Sequence, residues 1–348
     1  MENNTVKVLR MTVPVSELGT DARRGLLCLP ALALLLVVGV ATDYTAAALV
    51  AASGAFSVGF GSFQQFTRHK AAPMVLAALG MTLSAAVGSL LGRHEAELLV
   101  VAALWSAAVG LAFVAFGNGP WWIATQWTIA LVVAGAYPSG LQGAGARAAL
   151  VLFGGGLQWA FIITSWRLLS PREAAHDVRL RAYLRLGRLK LHMAGPRIYF
   201  ALQTAVAGTA ALALARSLQL PNGYWAPMTA LLVIRPSFKE TLGRGLARFI
   251  GTLIGAGLAT LAAALLRPDA EVTAMLVVLF AWSAYSLRRL HYAALTACIT
   301  ACIVFLLALA GLPEPANAWH RIVATLIGGA IAFCGALPGA PPAQRTGR

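Results

Sequence analysis

Acidic residues are scarce. The 348 residues hold 12 Asp and Glu against 27 Lys and Arg, and charged residues of either sign make up 11% of the chain. A soluble domain carries about 25%, so this chain cannot clothe a water-facing surface. A Rossmann enzyme, a secreted disulfide scaffold and a disordered tail are excluded on that ground. Cysteine is scarce too, with 4 residues at positions 28, 298, 302 and 334, all inside apolar runs. Cys298 and Cys302 stand four apart on one helical face with no His or second Cys pair beside them, so they read as packing residues. The signatures of common enzymes are missing: HExxH, GxSxG, a Walker loop and DxDxDG are all absent, and the 6 histidines are scattered. No catalytic residue, cofactor or metal is expected.

What fills the chain is apolar: 59% of residues are hydrophobic. The runs approach the roughly 20 residues that cross a bilayer, which predicts an all-α polytopic membrane protein. Twelve spans are expected in two sets of six. The first covers 25–41, 44–60, 72–92, 97–117, 119–137 and 147–166; the second covers 198–216, 223–236, 249–266, 270–287, 291–311 and 319–338. The pairs within 25–60 and 198–236 are short enough to be read also as one span plus a re-entrant piece.

The cations give the orientation. With the N-terminus in the cytoplasm, 22 of the 27 Lys and Arg fall inside, and only Arg93, Arg147, Arg216, Arg267 and Arg321 fall outside. That bias matches the positive-inside rule. It predicts a cytoplasmic segment 1–24, a first six-span repeat 25–166, a basic cytoplasmic linker 167–197, a second repeat 198–338 and a cytoplasmic tail 339–348. Arg23 and Arg24 before the first run mark a retained span rather than a cleaved leader. In the linker, basic residues alternate with leucines over 172–193, the pattern of an amphipathic helix lying on anionic lipid. The net charge of +15 is thereby assigned to loops and lipid headgroups, not to nucleic acid.

The two sets of spans align with each other. Ser62–Phe63 corresponds to Ser237–Phe238 at an offset of 175, and Leu79–Gly80 to Ile254–Gly255. Ala96–Glu97 corresponds to Ala270–Glu271 at 174, and the same offset carries Arg147 onto Arg321 and Gly154–Gly155 onto Gly328–Gly329. With six spans in each copy, the repeat is parallel.

The stretch from Asn222 to Gly257, NGYWAPMTALLVIRPSFKETLGRGLARFIGTLIGAG, resembles the fusaric acid resistance family, which overlaps the aromatic acid exporters. Arg321 with Leu326-Ile327-Gly328-Gly329 resembles that family's last span. The first half looks like a degenerate copy, with Gln64–Gln65 in place of Lys239–Glu240. The chain corresponds to a short form, without the long cytoplasmic domains of the larger exporters. The resemblance implies an inner-membrane transporter of a small organic anion, and it brings a periplasmic adaptor protein and a homo-oligomer into view as partners. A distant similarity to plant malate channels leaves an organic-anion channel open. A membrane scaffold without transport is the third reading.

Several residues are singled out, each with two readings. Arg147 and Arg321 are either anchors that snorkel to the interface or cations that draw an anion into a path. Arg235, Lys239, Arg244 and Arg248 follow one another on a helix-spaced segment, either as a solvated interfacial helix or as the inner vestibule of that path. Tyr224 and Trp225 are belt aromatics or a stacking surface for an aromatic substrate. Asp43 and Glu240 are the acids considered for proton coupling, although neither is central in a span.

Overall fold

The computed structural model describes residues 15–64, 66, 71–169, 195–311 and 314–337. The stretch 172–193, read as a helix on lipid, and the tail 339–348 lie outside the described residues. Every regular element among the described residues is a helix, as expected. We number them α1 (Val15–Leu27), α2 (Leu29–Ala41), α3 (Thr45–Gly61), α4 (Ala72–Leu91), α5 (Glu95–Phe116), α6 (Asn118–Gly135) and α7 (Leu141–Leu169) in the first half. The second half holds α8 (Gly195–Ser217), α9 (Trp225–Val233), α10 (Phe238–Leu266), α11 (Ala270–Leu287), α12 (Tyr292–Leu309) and α13 (Glu314–Gly335).

Eight of these are long and apolar enough to cross a bilayer alone, and α1–α2, bent by 42° at Cys28, can count as a ninth. The twelve expected spans therefore include shorter pieces. α3 has 17 residues and α9 only 9, so α9 reaches about 13 Å at 1.5 Å per residue. α6 is diluted by Asn118, Gln126 and three tryptophans. The structure also extends several spans. α10 begins at Phe238, not near 249, so Arg244 and Arg248 ride on a membrane helix rather than on a separate interfacial one. α7 and α13 start at residues 141 and 314, so Arg147 and Arg321 stand one to two turns inside their helices.

The packing is that of a membrane protein turned toward lipid. Buried positions are dominated by Ala, Ser, Thr and Gly, while Val37, Leu79, Leu83, Val100, Leu202, Leu258 and Leu279 face outward. Small residues let helix backbones approach where no hydrophobic effect drives them together. In the first half α7 packs on α3 and α4, and α6 on α4 and α5. In the second, α13 packs on α9 and α10, and α12 on α10 and α11. The order is the same in both. The same close approach recurs as well. A Cβ added to Gly154 would strike the carbonyl of Ala51, and one added to Gly328 would strike the carbonyl of Ala226. Between the halves, α5 lies along α8, while α1 and α2 lie against α11.

Candidate anion pathway

The second half departs from the first at α9. Pro236 cannot continue a helix, and it pushes Arg235 out of the helical region. Ile234 turns extended, with φ −59° and ψ 133°, and α9 stops at Val233. The backbone N–H of Arg235 donates to Thr241 Oγ1 at 2.9 Å, which ties the unwound segment to the first turn of α10. In the first half Gly61 stands at the matching position and α3 runs on through it.

Along α9, from this break back to Trp225, lie four arginines from three places in the chain. Arg321 on α13 is 2% exposed; its Nε donates to Thr300 Oγ1 at 3.1 Å, and its guanidinium carbon lies 4.0 Å from the centre of the Trp225 ring. Both of its terminal nitrogens are buried without a hydrogen-bond partner. Arg248 on α10 is 4% exposed and donates from Nε to Thr229 Oγ1 at 3.2 Å. Arg244, one turn earlier on α10, donates to the Leu232 carbonyl at 3.2 Å and covers Tyr292 at 4.2 Å. Arg235 is 5% exposed, donates to the Ile234 carbonyl at 2.9 Å and covers Trp121 at 4.0 Å. Among the described residues, none of the four has a carboxylate within ion-pair distance.

The magnitudes show what this line lacks. An arginine within a membrane helix costs roughly 2.5–3.5 kcal/mol to insert. A desolvated cation–π contact returns about 2 kcal/mol, and a single hydrogen bond to a charged group about 1.5–3. Arg321 still has two nitrogens to satisfy. A bound anion would supply both the charge and the acceptors.

Arg147 makes the contrast. It aligns with Arg321, yet its Nη1 donates to Ser89 Oγ, to the Tyr137 carbonyl at 2.6 Å and to the Ala134 carbonyl at 3.5 Å. It ties the end of α6 to α4. The positions that match Arg235 and Arg248 in the first half are Phe60 and Pro73. Phe60 packs among Phe56, Trp122 and Tyr285, at ring-centre distances of 5.3, 6.4 and 4.6 Å. An aromatic ring occupies the place of Arg235.

The other residues singled out from the sequence divide as follows. Tyr224 and Trp225 are buried at the start of α9, with ring centres 4.8 Å apart, and belong to the line through Trp225 and Arg321. Lys239 and Glu240 are exposed on the first turn of α10. Asp43 is exposed on the turn after α2, in the first half, with φ 58°. The buried acid is one the sequence reading passed over. Asp21 on α1 is 3% exposed, and its carboxylate accepts from Arg288 at 3.0 Å and pairs with Arg289 at 3.5 Å. Burial pushes the Arg288 guanidinium down from its ordinary value, and Asp21 pulls it back up. The signal was there: an Asp on one face of 15–27 and an Arg pair closing α11.

The model of the fusaric acid resistance protein-like family matches residues 209–335, which contain Tyr224, Trp225 and all four arginines of the line. An uncharacterized protein of Synechocystis sp. is 31% identical over 143 residues, 41% of this chain and 19% of the relative. The uncharacterized protein YhfK of Escherichia coli is 32% identical over 157 residues, 45% of this chain and 21% of the relative. An uncharacterized protein of Neisseria gonorrhoeae is 29% identical over 133 residues, 38% of this chain and 32% of the relative. The matched stretch thus spans between a fifth and a third of these curated relatives. No solved structure matches the chain. Residues 209–335 thus resemble the fusaric acid resistance protein-like family in a chain built as a multi-pass membrane protein, and the matched stretch and the arginine line share the same half.

Proposed function

We propose that this protein exports small organic anions, aromatic carboxylates first among them, across a bacterial inner membrane. The observation that carries the reading is the line Arg235, Arg244, Arg248 and Arg321, with Arg235, Arg248 and Arg321 buried, Arg244 half-buried, and none ion-paired to a carboxylate among the described residues. Fixed cations in a low-dielectric path attract an anion strongly. The rings of Trp121, Tyr292 and Trp225 against those cations offer an apolar wall to an aromatic acid. The family name points to an acid of that kind. The positive-inside count supports a cytoplasmic side for both termini, the linker and the Arg235 end of the line.

A second reading, an anion channel, is favoured by a specific observation. Asp43 and Glu240, the acids considered for proton coupling, are both exposed, and a downhill path needs no coupling acid. Purified protein in liposomes separates the two. Benzoate moved uphill by an imposed pH gradient is the expected result for the exporter. Flux that follows only the membrane potential would assign the channel. Flux unaltered by Arg321→Gln would remove the arginine line from the path, and no flux of any acid by the folded wild-type protein would sink both and leave the scaffold.

A further inference from the structure

At the end of the helices away from Arg235 lies a cavity of about 420 Å3, within the roughly 300–1,000 Å3 typical of small-ligand sites. It is built where the two halves meet. Gly92 and Tyr137 come from the first half; Arg216, Leu220, Asn222 and Tyr224 come from the second. The rings of Tyr137 and Tyr224 are 6.2 Å apart and inclined at 51°. Both hydroxyls donate to Asn222 Oδ1, at 3.4 and 3.2 Å. The loop that carries Asn222 is strained: Gln219 and Asn222 have φ of 49° and 54°. Non-glycine residues hold such angles only where their surroundings enforce them, and they cluster at ligand sites.

One cation serves the cavity wall. Arg216 donates to the Gly92 carbonyl at 2.8 Å. Its ion partner Glu95 is at 3.9 Å with a side chain 61% exposed, a loose pair that a carboxylate can displace. The floor is Tyr224. Trp225 packs against it with the rings inclined at 49°, and Arg321 lies 4.0 Å from the centre of the Trp225 ring with two nitrogens unpartnered. The cavity and the arginine line are therefore separated by one aromatic pair.

We propose that this cavity is a binding station for a one-ring aromatic carboxylate, with Arg216 on the carboxylate and Tyr137 and Tyr224 on the ring, and that the Tyr224–Trp225 pair is the barrier between it and Arg321. The inference rests on the reading of the arginine line as an anion path. The geometry also gives a selectivity: a short aliphatic acid has no ring to pack against the tyrosines.

The test compares benzoate and acetate flux in liposomes. Arg216→Gln raises the benzoate KM about tenfold, and Arg216→Lys restores most of it. Tyr137→Leu, which leaves every backbone bond in place, raises the benzoate KM and leaves acetate unchanged. Tyr224→Ala raises the maximal rate for both acids. Unchanged benzoate KM in Arg216→Gln and Tyr137→Leu, with flux still lost in Arg321→Gln, overturns the station and leaves the path standing. Flux retained in Arg321→Gln overturns the path itself. A Tyr224→Ala rate below the wild type overturns the barrier.

Discussion

Arg147 and Arg321 occupy matching places and have opposite surroundings, so substitution separates structure from transport. Arg321→Gln removes a buried cation whose terminal nitrogens have no acceptor; anion flux is expected to fall more than tenfold while the detergent melting temperature holds or rises. Arg147→Gln breaks bonds from a charged group to Ser89, Tyr137 and Ala134, at a cost of about 2 kcal/mol. Its melting temperature falls, and flux per folded molecule stays near wild type. Loss of flux in both variants, with both proteins folded, would show that Arg147 also meets the substrate. The sequence placed both residues by repeat alignment but could not tell them apart. What separates them is which carbonyls end near the guanidinium, and that is a property of tertiary packing. The same holds for Asp21, which is ordinary in sequence and has meaning only beside Arg288 and Arg289.

At the scale of elements, apolar runs located the helices well because lipid demands internally bonded backbone. They failed where charge sits inside a span. The four-residue spacing of Glu240, Arg244 and Arg248 shows a shared face, yet the cations suggest water, and the expected span at 249 starts about three turns after the helix does at Phe238. The break after α9 was legible in Pro236, and its closure by Thr241 was not. The contact of α13 with α9 gives a test of what the break serves. A Cβ on Gly328 would strike the Ala226 carbonyl and stand 2.9 Å from Thr229 Cβ. Thr229 holds Arg248. Gly328→Val is expected to destabilise by about 1–3 kcal/mol and to lower flux per folded molecule by displacing Arg248. Gly154→Val meets the matching obstruction at Ala51 in the first half, and it should destabilise similarly without that loss of flux. Equal flux defects in the two variants would show that the path is not confined to the second half.

At the scale of the whole molecule, the question is what holds the halves together. The like order of helix contacts in the two halves agrees with the sequence offsets, but nothing in those offsets says which faces meet at the seam. Along α5 and α8 the backbones nearly touch: a Cβ on Gly110 would stand 2.6 Å from Ala201 Cα, and Gly208 lies against Ser106. On the other flank Leu32, Leu35 and Leu36 of α2 share a buried cluster with Ala274, Val277 and Ala281 of α11. α1 then clasps α11 through Asp21 with Arg288 and Arg289, and through Trp282 Nε1 donating to the Ala22 carbonyl at 3.2 Å. Breaking a buried ion pair by removing one partner costs roughly 3–5 kcal/mol; Asp21→Asn should cost near 3, since Arg288 keeps the Phe63 ring at 4.2 Å. These contacts lie within helices and do not require a continuous chain between α7 and α8. A protease site placed between residues 170 and 194 is therefore expected to yield two fragments that co-elute in detergent and still carry anion flux. Adding Asp21→Asn to the cut protein weakens the clasp with nothing covalent to compensate, and the fragments should then part at lower detergent or higher temperature than in the cut protein alone. Fragments that separate at once in the cut protein would mean that the linker, not the α5–α8 and α2–α11 seams, keeps the halves in register. The cavity between Tyr137 and Arg216, which needs both halves, would be lost with them.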